Sequence, residues 1–405
     1  MPGKSERPSR SRLKIAAVVT EYRQFAHGQH IVDRFLEGYG WKGRHHCPEM
    51  DVVSLYVDQR PEGDLTADRL ARFPQMRLVP TIAEALTLGG SDLAVDGILL
   101  IAEHGSYHRN EKGQHQYPRY EFFQQMVSVF RTTGQVAPIF CDKHLSWKWH
   151  WARHMYDQSV ELGIPFMAGS SLPITWRTPQ TEMPLGAEVQ EAICVCAGGI
   201  DGGDIHALEA LQCMVERRAG GEQGVVWVES YRDERFWEAH NNGVWSRDLF
   251  KAALCRSHTL GSARAGFNHI FPTIAEMRSL CKPVAYVFRH LDGLRSSIML
   301  MNGLVQDFNF AARIGGQQKV LSTQMYLPMP PAYTTLANFF SPQVNNVEQM
   351  FLTGRPSYPV ERTLLTTGLT EAGVNSLLSG GKRLQTPHLA QIKYQANPES
   401  TFWRE

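Results

Sequence analysis

Several stretches of this chain gather side chains that move protons, hold metals or grip hydroxyls. Glu103 and His104 stand side by side, and a carboxylate with an imidazole suits a borderline-soft divalent ion such as Zn²⁺ or Mn²⁺. His27, followed by His30 at helical i, i+3 spacing, is a third ligand of that kind. Asp142-Lys143-His144 sets a carboxylate, an amine and an imidazole in succession. A cleft lysine acts as a general base or steadies an oxyanion; as an alternative, Asp142 and Lys143 form a plain ion pair. His206 follows the glycine-rich run Gly198–Ile205, where a helix N-terminus disfavours its cation and leaves a neutral base. The expected catalytic set is therefore Lys143, His206, Asp142 and His104. Glu103, His104 and His27 are the expected metal set. Tyr107, His108, His144 and Arg289 are read as substrate contacts. Ser170-Ser171 lacks the G-x-S-x-G elbow of a nucleophilic serine, so that hydrolase class is set aside.

These side chains need elements to position them. Leu13–Thr20 is a continuous apolar, β-rich run, the pattern of a strand buried on both faces. Further strands are expected at 51–57, 76–79, 95–101, 136–140 and 165–168, with helices at 31–39, 66–73, 119–130 and 148–162. Thr81-Ile82-Ala83-Glu84 reads as a capping box opening one more. Strands alternating with helices demand a doubly wound parallel sheet, whose ligands bind beyond the strand C-termini. The candidate residues follow those strands: His27 the first, Asp58 the second, Glu103 to His108 the fourth, Asp142 to His144 the fifth. The second half differs. DG, NG and GG turns separate β-rich runs at 284–290, 295–301, 307–313 and 319–327, which predicts an antiparallel meander. Runs at 191–195 and 224–228 extend it. The expected fold is a Rossmann-like parallel sheet (13–175) followed by a domain on an open antiparallel sheet (176–393), with polar tails at 1–12 and 394–405.

Composition narrows the class. Lys and Arg number 41 and Asp and Glu 40, and this balance argues against a nucleic-acid or anionic-membrane surface. No apolar run reaches membrane-spanning length. Seven scattered cysteines without a framework spacing suggest reduced thiols in a cytoplasm.

A dinucleotide-binding βαβ unit wants G-x-G-x-x-G after its first strand, where glycines let the backbone approach a diphosphate. Here Gly28 stands alone in a longer loop crowded by Tyr22, Arg23, Phe25 and histidines. Asp58 sits where a ribose-binding carboxylate would stand if NAD(P) is bound; it also reads as the opening of the turn Asp58–Pro61.

Over roughly residues 13–393 the layout resembles the glucose–fructose oxidoreductase / inositol dehydrogenase (Gfo/Idh/MocA-like) superfamily. Thr81–Leu86 matches its acidic helix start. Lys143 falls on the lysine of its E-K-P motif, and Gly198–Glu209 on its glycine-rich lead into a helix whose catalytic histidine would be His206. The resemblance implies a sugar or polyol substrate, NAD(P), and a lysine and histidine beside the reacting hydroxyl. The chain departs from the family in the missing glycine fingerprint, in Asp142-Lys143-His144 replacing E-K-P, and in a carboxylate displaced to Asp201 or Asp204. The retained pair beside a lost phosphate cradle leads to the expectation of a carbohydrate-active enzyme working by acid–base chemistry: elimination, hydration, isomerisation or glycoside cleavage, with metal assistance. The alternatives are an NAD(P)-dependent sugar or polyol oxidoreductase with an atypical phosphate loop, and an inactive ligand-binding or assembly protein. A homo-oligomer, dimer or tetramer, is expected on the antiparallel sheet.

Overall fold

The computed structural model describes residues 11–261, 271–315, 320–332, 334 and 336–402. Residues 1–10 of the first expected tail, the last three residues of the second, and 316–319 of the meander lie outside the described residues; the rest of the second tail is packed, with Tyr394 and Phe402 buried.

Six parallel strands form the first sheet. In spatial order they are Arg77–Leu78, Met50–Val57, Leu13–Val19, Gly97–Ile101, Ile139–Asp142 and Phe166–Gly169. The order reverses at Leu13–Val19, so the crevice of a doubly wound sheet opens at that strand's C-terminal end. The apolar run needs both faces covered, and it gets them. Ile15, Ala17 and Val19 pack with Val32 and Phe35, while Ala16 and Val18 pack with Ile82, Leu86 and Phe122. Thr81 caps the helix Ile82–Thr87, accepting from Glu84 N at 3.1 Å. The helix Ser341–Thr353, far along the chain in the expected second unit, returns to this core through Val344, Val347 and Phe351.

The second sheet has eight strands and is mostly antiparallel. Its order is not that of a simple meander. Val189–Cys196 inserts between Arg295–Leu300 and Phe308–Ile314, parallel to the first and antiparallel to the second. Val225–Arg232 extends the sheet beside Val284–His290, as expected. Side chains alternate between faces. Ala192, Cys194, Tyr286 and Ile298 face the helices Gly203–Val215 and Glu361–Leu378 through Leu208, Leu211 and Leu365. Ile193, Val195, Val287 and Met299 lie under Phe236, Trp245, Leu249 and Phe250 of two further helices, Asp233–Asn241 and Arg247–Leu254, and the strand-end loop between them. Helices of the chain thus pack on both faces of this sheet.

Candidate active site

The ends of the parallel strands and the glycine-rich turn of the second domain converge on one buried cluster. Glu103, 7% exposed, is its centre. Lys143 Nζ donates to its Oε1 at 2.6 Å, Arg119 Nη2 donates to its Oε2, and Thr20 Oγ1 donates to its carbonyl at 2.8 Å. Burial alone would raise this carboxyl, but Lys143 and Arg119 outweigh burial and hold it well below the usual carboxylate range. Lys143 therefore pairs with Glu103 and not with its neighbour Asp142. The side chain of Asp142 instead meets His27 Nδ1 at 2.7 Å, and its carbonyl accepts from Arg119 Nε at 3.3 Å.

His206 lies in the first turn of the helix Gly203–Val215, its Nδ1 2.6 Å from Ser170 Oγ. Burial, reinforced by Lys143 and His27, holds this imidazole well below its ordinary range, so it is a neutral base. His144, 2% exposed, is held neutral by burial and then Arg119. Burial pushes His104 down to about 3. Asp201 is pushed up to about 7, again mainly by burial. Its Oδ2 accepts from the backbone N–H of His115 at 2.5 Å, joining the loop after the fourth strand to the second domain. Its Oδ1 stands 4.0 Å from His144 Nε2.

Strain marks the same residues. His104, Lys143 and Asp201 adopt left-handed backbone, at φ 71°, 62° and 66°. Each such non-glycine residue costs of order 1–3 kcal/mol and persists only where the surroundings over-determine it.

Five buried polar atoms here have no hydrogen-bond partner among the described residues: His104 Nε2, Arg119 Nη1, both ring nitrogens of His144, and Asp201 Oδ1. Orphaned donors and acceptors at this density mark a place built for a polar ligand.

The expected metal set is corrected. Among the described residues no group of three or more His, Cys, Asp or Glu side chains is arranged to hold a metal ion. Glu103 is spent on two cations and His27 Nδ1 on Asp142, which leaves His104 without companions. Of the expected substrate contacts, Tyr107 has a partner within the chain and Arg289 lies elsewhere. Tyr107 donates its hydroxyl to Asp58 at 2.5 Å. Arg289 pairs with Arg295 in the sheet, and Arg295 begins the strand whose other end, Leu300, pairs with Cys196 just before the glycine-rich turn. That puts Arg289 at the far end of the sheet, roughly 15–20 Å away at ~3.3 Å per residue. His108 is exposed on the loop hairpin. His144 does join the cluster. Sequence reasoning missed Ser170 as the partner of His206 and Arg119 as the second cation on Glu103.

Whether a dinucleotide fits is decided at the end of Leu13–Val19. Its diphosphate would sit on the N-terminus of the following helix and its ribose on Asp58. The helix His27–Glu37 has no side-chain cap, and Gly28 packs so tightly that a Cβ there would lie 2.6 Å from the Glu21 carbonyl. That is one glycine of the fingerprint, kept for helix packing. Yet Ala26, His27 and His30 are buried, and the Phe340 ring lies against both histidines, at 5.0 and 5.2 Å between centroids. Asp58 is already bonded to Tyr107 and Tyr56. The residues present do not fit a dinucleotide seated across these strand ends.

No protein-family model matches the chain, and no curated protein matches it in sequence. Solved structures do match in fold. GenD2 from gentamicin A biosynthesis, in complex with NAD, aligns with a TM-score of 0.55 at 12% identity, over 95% of this chain and 99% of its own. A myo-inositol dehydrogenase from Corynebacterium glutamicum gives 0.52 at 12% identity, over 92% and 98%. A myo-inositol dehydrogenase from Lactobacillus casei, with NAD(H) and myo-inositol, gives 0.52 at 11%, over 94% and 99%. With its Rossmann-like sheet, its mostly antiparallel second sheet and a buried strand-end lysine beside a helix-borne histidine, the chain has the two-domain fold of the Gfo/Idh/MocA-like superfamily.

Proposed function

We propose that the protein is an enzyme that transfers a proton at a hydroxyl-bearing carbon of a neutral polyhydroxylated substrate, of the sugar or polyol class. One observation carries this reading: the buried cluster balances its own charge and still presents unpartnered polar atoms. The cluster holds two carboxylates and two cations: Lys143 and Arg119 both bind Glu103, and the Asp142 carboxylate lies on His27. Burial keeps His104, His144 and His206 neutral. A charged ligand would unbalance such a site, whereas a ligand carrying several hydroxyls meets donors and acceptors.

The roles follow from the bonds. With Nδ1 on Ser170, His206 has Nε2 left to accept the proton of the hydroxyl-bearing carbon beside a substrate carbonyl, the C–H electron pair passing to the carbonyl oxygen. Lys143, fixed by Glu103, steadies that oxygen, and the enediol so formed takes a proton back at the neighbouring carbon. His144 and Asp201, 4.0 Å apart, span a second hydroxyl. The metal role expected from the sequence has no part in this reading.

A second reading is NAD(P)-dependent oxidation of the same class of substrate, in which the same base works beside a hydride acceptor. Its support is the solved structures with this fold: two of the three are named as myo-inositol dehydrogenases, and two, GenD2 and the Lactobacillus casei enzyme, are in complex with NAD or NAD(H). They support oxidoreduction better than elimination, hydration, isomerisation or glycoside cleavage, none of which appears in their names. The crevice geometry speaks for the first reading.

The deciding experiment incubates the protein with a panel of inositols, sugars and sugar acids, with and without NAD⁺ or NADP⁺. Products are followed by NMR and reduced nicotinamide by absorbance. Nicotinamide-independent conversion supports the first reading, and nicotinamide-dependent conversion replaces it with the second. No conversion and no shift of any histidine resonance across the panel refutes both.

A further inference from the structure

The crevice at the end of Leu13–Val19 is bordered by the turn after Met50–Val57 on one side and the turn after Gly97–Ile101 on the other. In this chain the two turns are bonded to each other across it. Tyr107 donates its hydroxyl to Asp58, and Ser106 N donates to Gln59 Oε1 at 2.8 Å. The strand end beneath is stitched to both sides. The Thr20 carbonyl accepts from Gln59 N at 2.8 Å, and Thr20 Oγ1 donates to the Glu103 carbonyl at 2.8 Å.

The bridge is built for its course. His104 and Gly105, at φ 71° and 113°, turn the chain back toward Asp58. A Cβ on Gly105 would come within 2.5 Å of the Tyr107 ring, so the residue must be glycine for the ring to lie there. Tyr107 is backed in turn by the Tyr117 ring, 5.6 Å between centroids. The helix side is closed independently. Arg34 donates to the carbonyls of Leu336 and Ala337 at 2.6 and 2.8 Å, pinning the turn that carries Phe340 over His27 and His30.

We infer that residues 104–107 form a strap, anchored on Asp58 and Gln59, that together with Phe340 seals the nucleotide crevice of this fold against dinucleotides. The carboxylate placed to hold a ribose is here the anchor of the strap. By fixing Glu103 and His104 at the strap's root, the same bonds help position the proton-transfer cluster. This deepens the proposed function, whose first reading rests on the crevice, by naming the residues that close it.

The test titrates NAD⁺, NADH, NADP⁺ and NADPH separately into the full-length protein by calorimetry and follows amide exchange of the strap by mass spectrometry. The expected result is no saturable binding of any of the four. Exchange at residues 104–107 should rise about tenfold in Asp58→Asn and in Tyr107→Phe, the loss of one charge-assisted hydrogen bond, and no further in the double variant, because both remove the same bond. Tyr107→Phe keeps the ring, so circular dichroism should show it folded. Stoichiometric binding of any of the four nucleotides to the unaltered protein overturns the inference, and so does unchanged strap exchange in both single variants. Failure of the substrate reading would show separately, as absence of polyol turnover in the preceding assay.

Discussion

Replacing Glu103 by Gln should be among the most damaging single changes at this site. The carboxylate is buried and compensates two buried cations, Lys143 at 2.6 Å and Arg119, itself fully buried. Gln keeps the shape and one acceptor but no charge, which leaves an ammonium and a guanidinium without their shared counter-charge in a water-poor interior. Removing one member of a buried ion pair costs about 3–5 kcal/mol. The direction with pH follows from the depressed carboxyl: its contribution is present above the pKa of an unfolded Glu and is lost as pH falls through the lower folded value. Glu103→Gln should therefore lose the most stability near neutral pH and little in acid. Urea unfolding at neutral pH would read the loss as a lower midpoint at unchanged slope. The double variant Glu103→Gln/Lys143→Met removes one of the uncompensated cations, so it should recover about 1–3 kcal/mol of the Glu103→Gln loss. A Glu103→Gln protein as stable as the parent, or a double variant whose losses simply add, would refute the charge-balance argument on which the substrate class rests.

Asp201 and Glu209 are both pushed up to about 7, chiefly by burial. A raised carboxyl favours folding fully only below the unfolded pKa, and that benefit drains away between about pH 4 and about pH 7. Asp201→Asn and Glu209→Gln should each flatten the fall in melting temperature across that window; an unchanged slope would show that neither carboxyl stays protonated. His206→Asn should lower turnover of a polyol found by the panel by about 10²–10⁴-fold, and Ser170→Ala by less, about tenfold, because Ser170 only orients the base; equal turnover in His206→Asn would remove His206 from the chemistry. Gly28→Ala should destabilise by about 1–3 kcal/mol, since the obstructing Glu21 oxygen belongs to the backbone; urea midpoints would decide. His104→Gly removes left-handed strain and an orphaned ring nitrogen, so its stability should stay within about 1 kcal/mol of the parent while turnover falls; a loss above about 2 kcal/mol would make the ring a packing residue.

Local pattern made much of this structure legible and tertiary pairing hid the rest. Apolar runs such as Leu13–Val19 announce strands buried on both sides, and the placement of Glu103, Lys143 and His206 at strand ends or a helix start follows from that. Strand order is a different matter. Nothing within Val189–Cys196 encodes that it slots between two strands more than a hundred residues further on. The helices over the outer face are as quiet: Asp233–Asn241 reads as a charged stretch, yet it buries Phe236 and Trp237. The charge partners were hidden in the same way. Glu103 finds Arg119 16 residues away and Lys143 40 away, and His206 finds Ser170 at a separation of 36. Adjacency in sequence suggested Asp142 for Lys143 and a metal for His27. Neighbouring residues leaving a strand point apart, and so Asp142 turned to His27 instead.

The strained residues show which part of the fold yields to chemistry. Eight non-glycine residues among those described have positive φ. Three of them, His104, Lys143 and Asp201, belong to the one cluster whose ionisable groups are buried, paired or forced neutral. Folding alone gives no reason to gather backbone strain and orphaned polar atoms at the same place, because a glycine adopts left-handed backbone without that strain. The stitches around Thr20 and the His115–Asp201 bond hold those residues against their own preference, and they do so from both domains. The strap across the crevice and the strain beside Lys143 and His206 are two features of one cluster, and the nucleotide titration and the polyol panel test them together. A ligand that satisfies His144, Asp201, His104 and Arg119 at once would be recognised through several hydroxyls rather than through a charge.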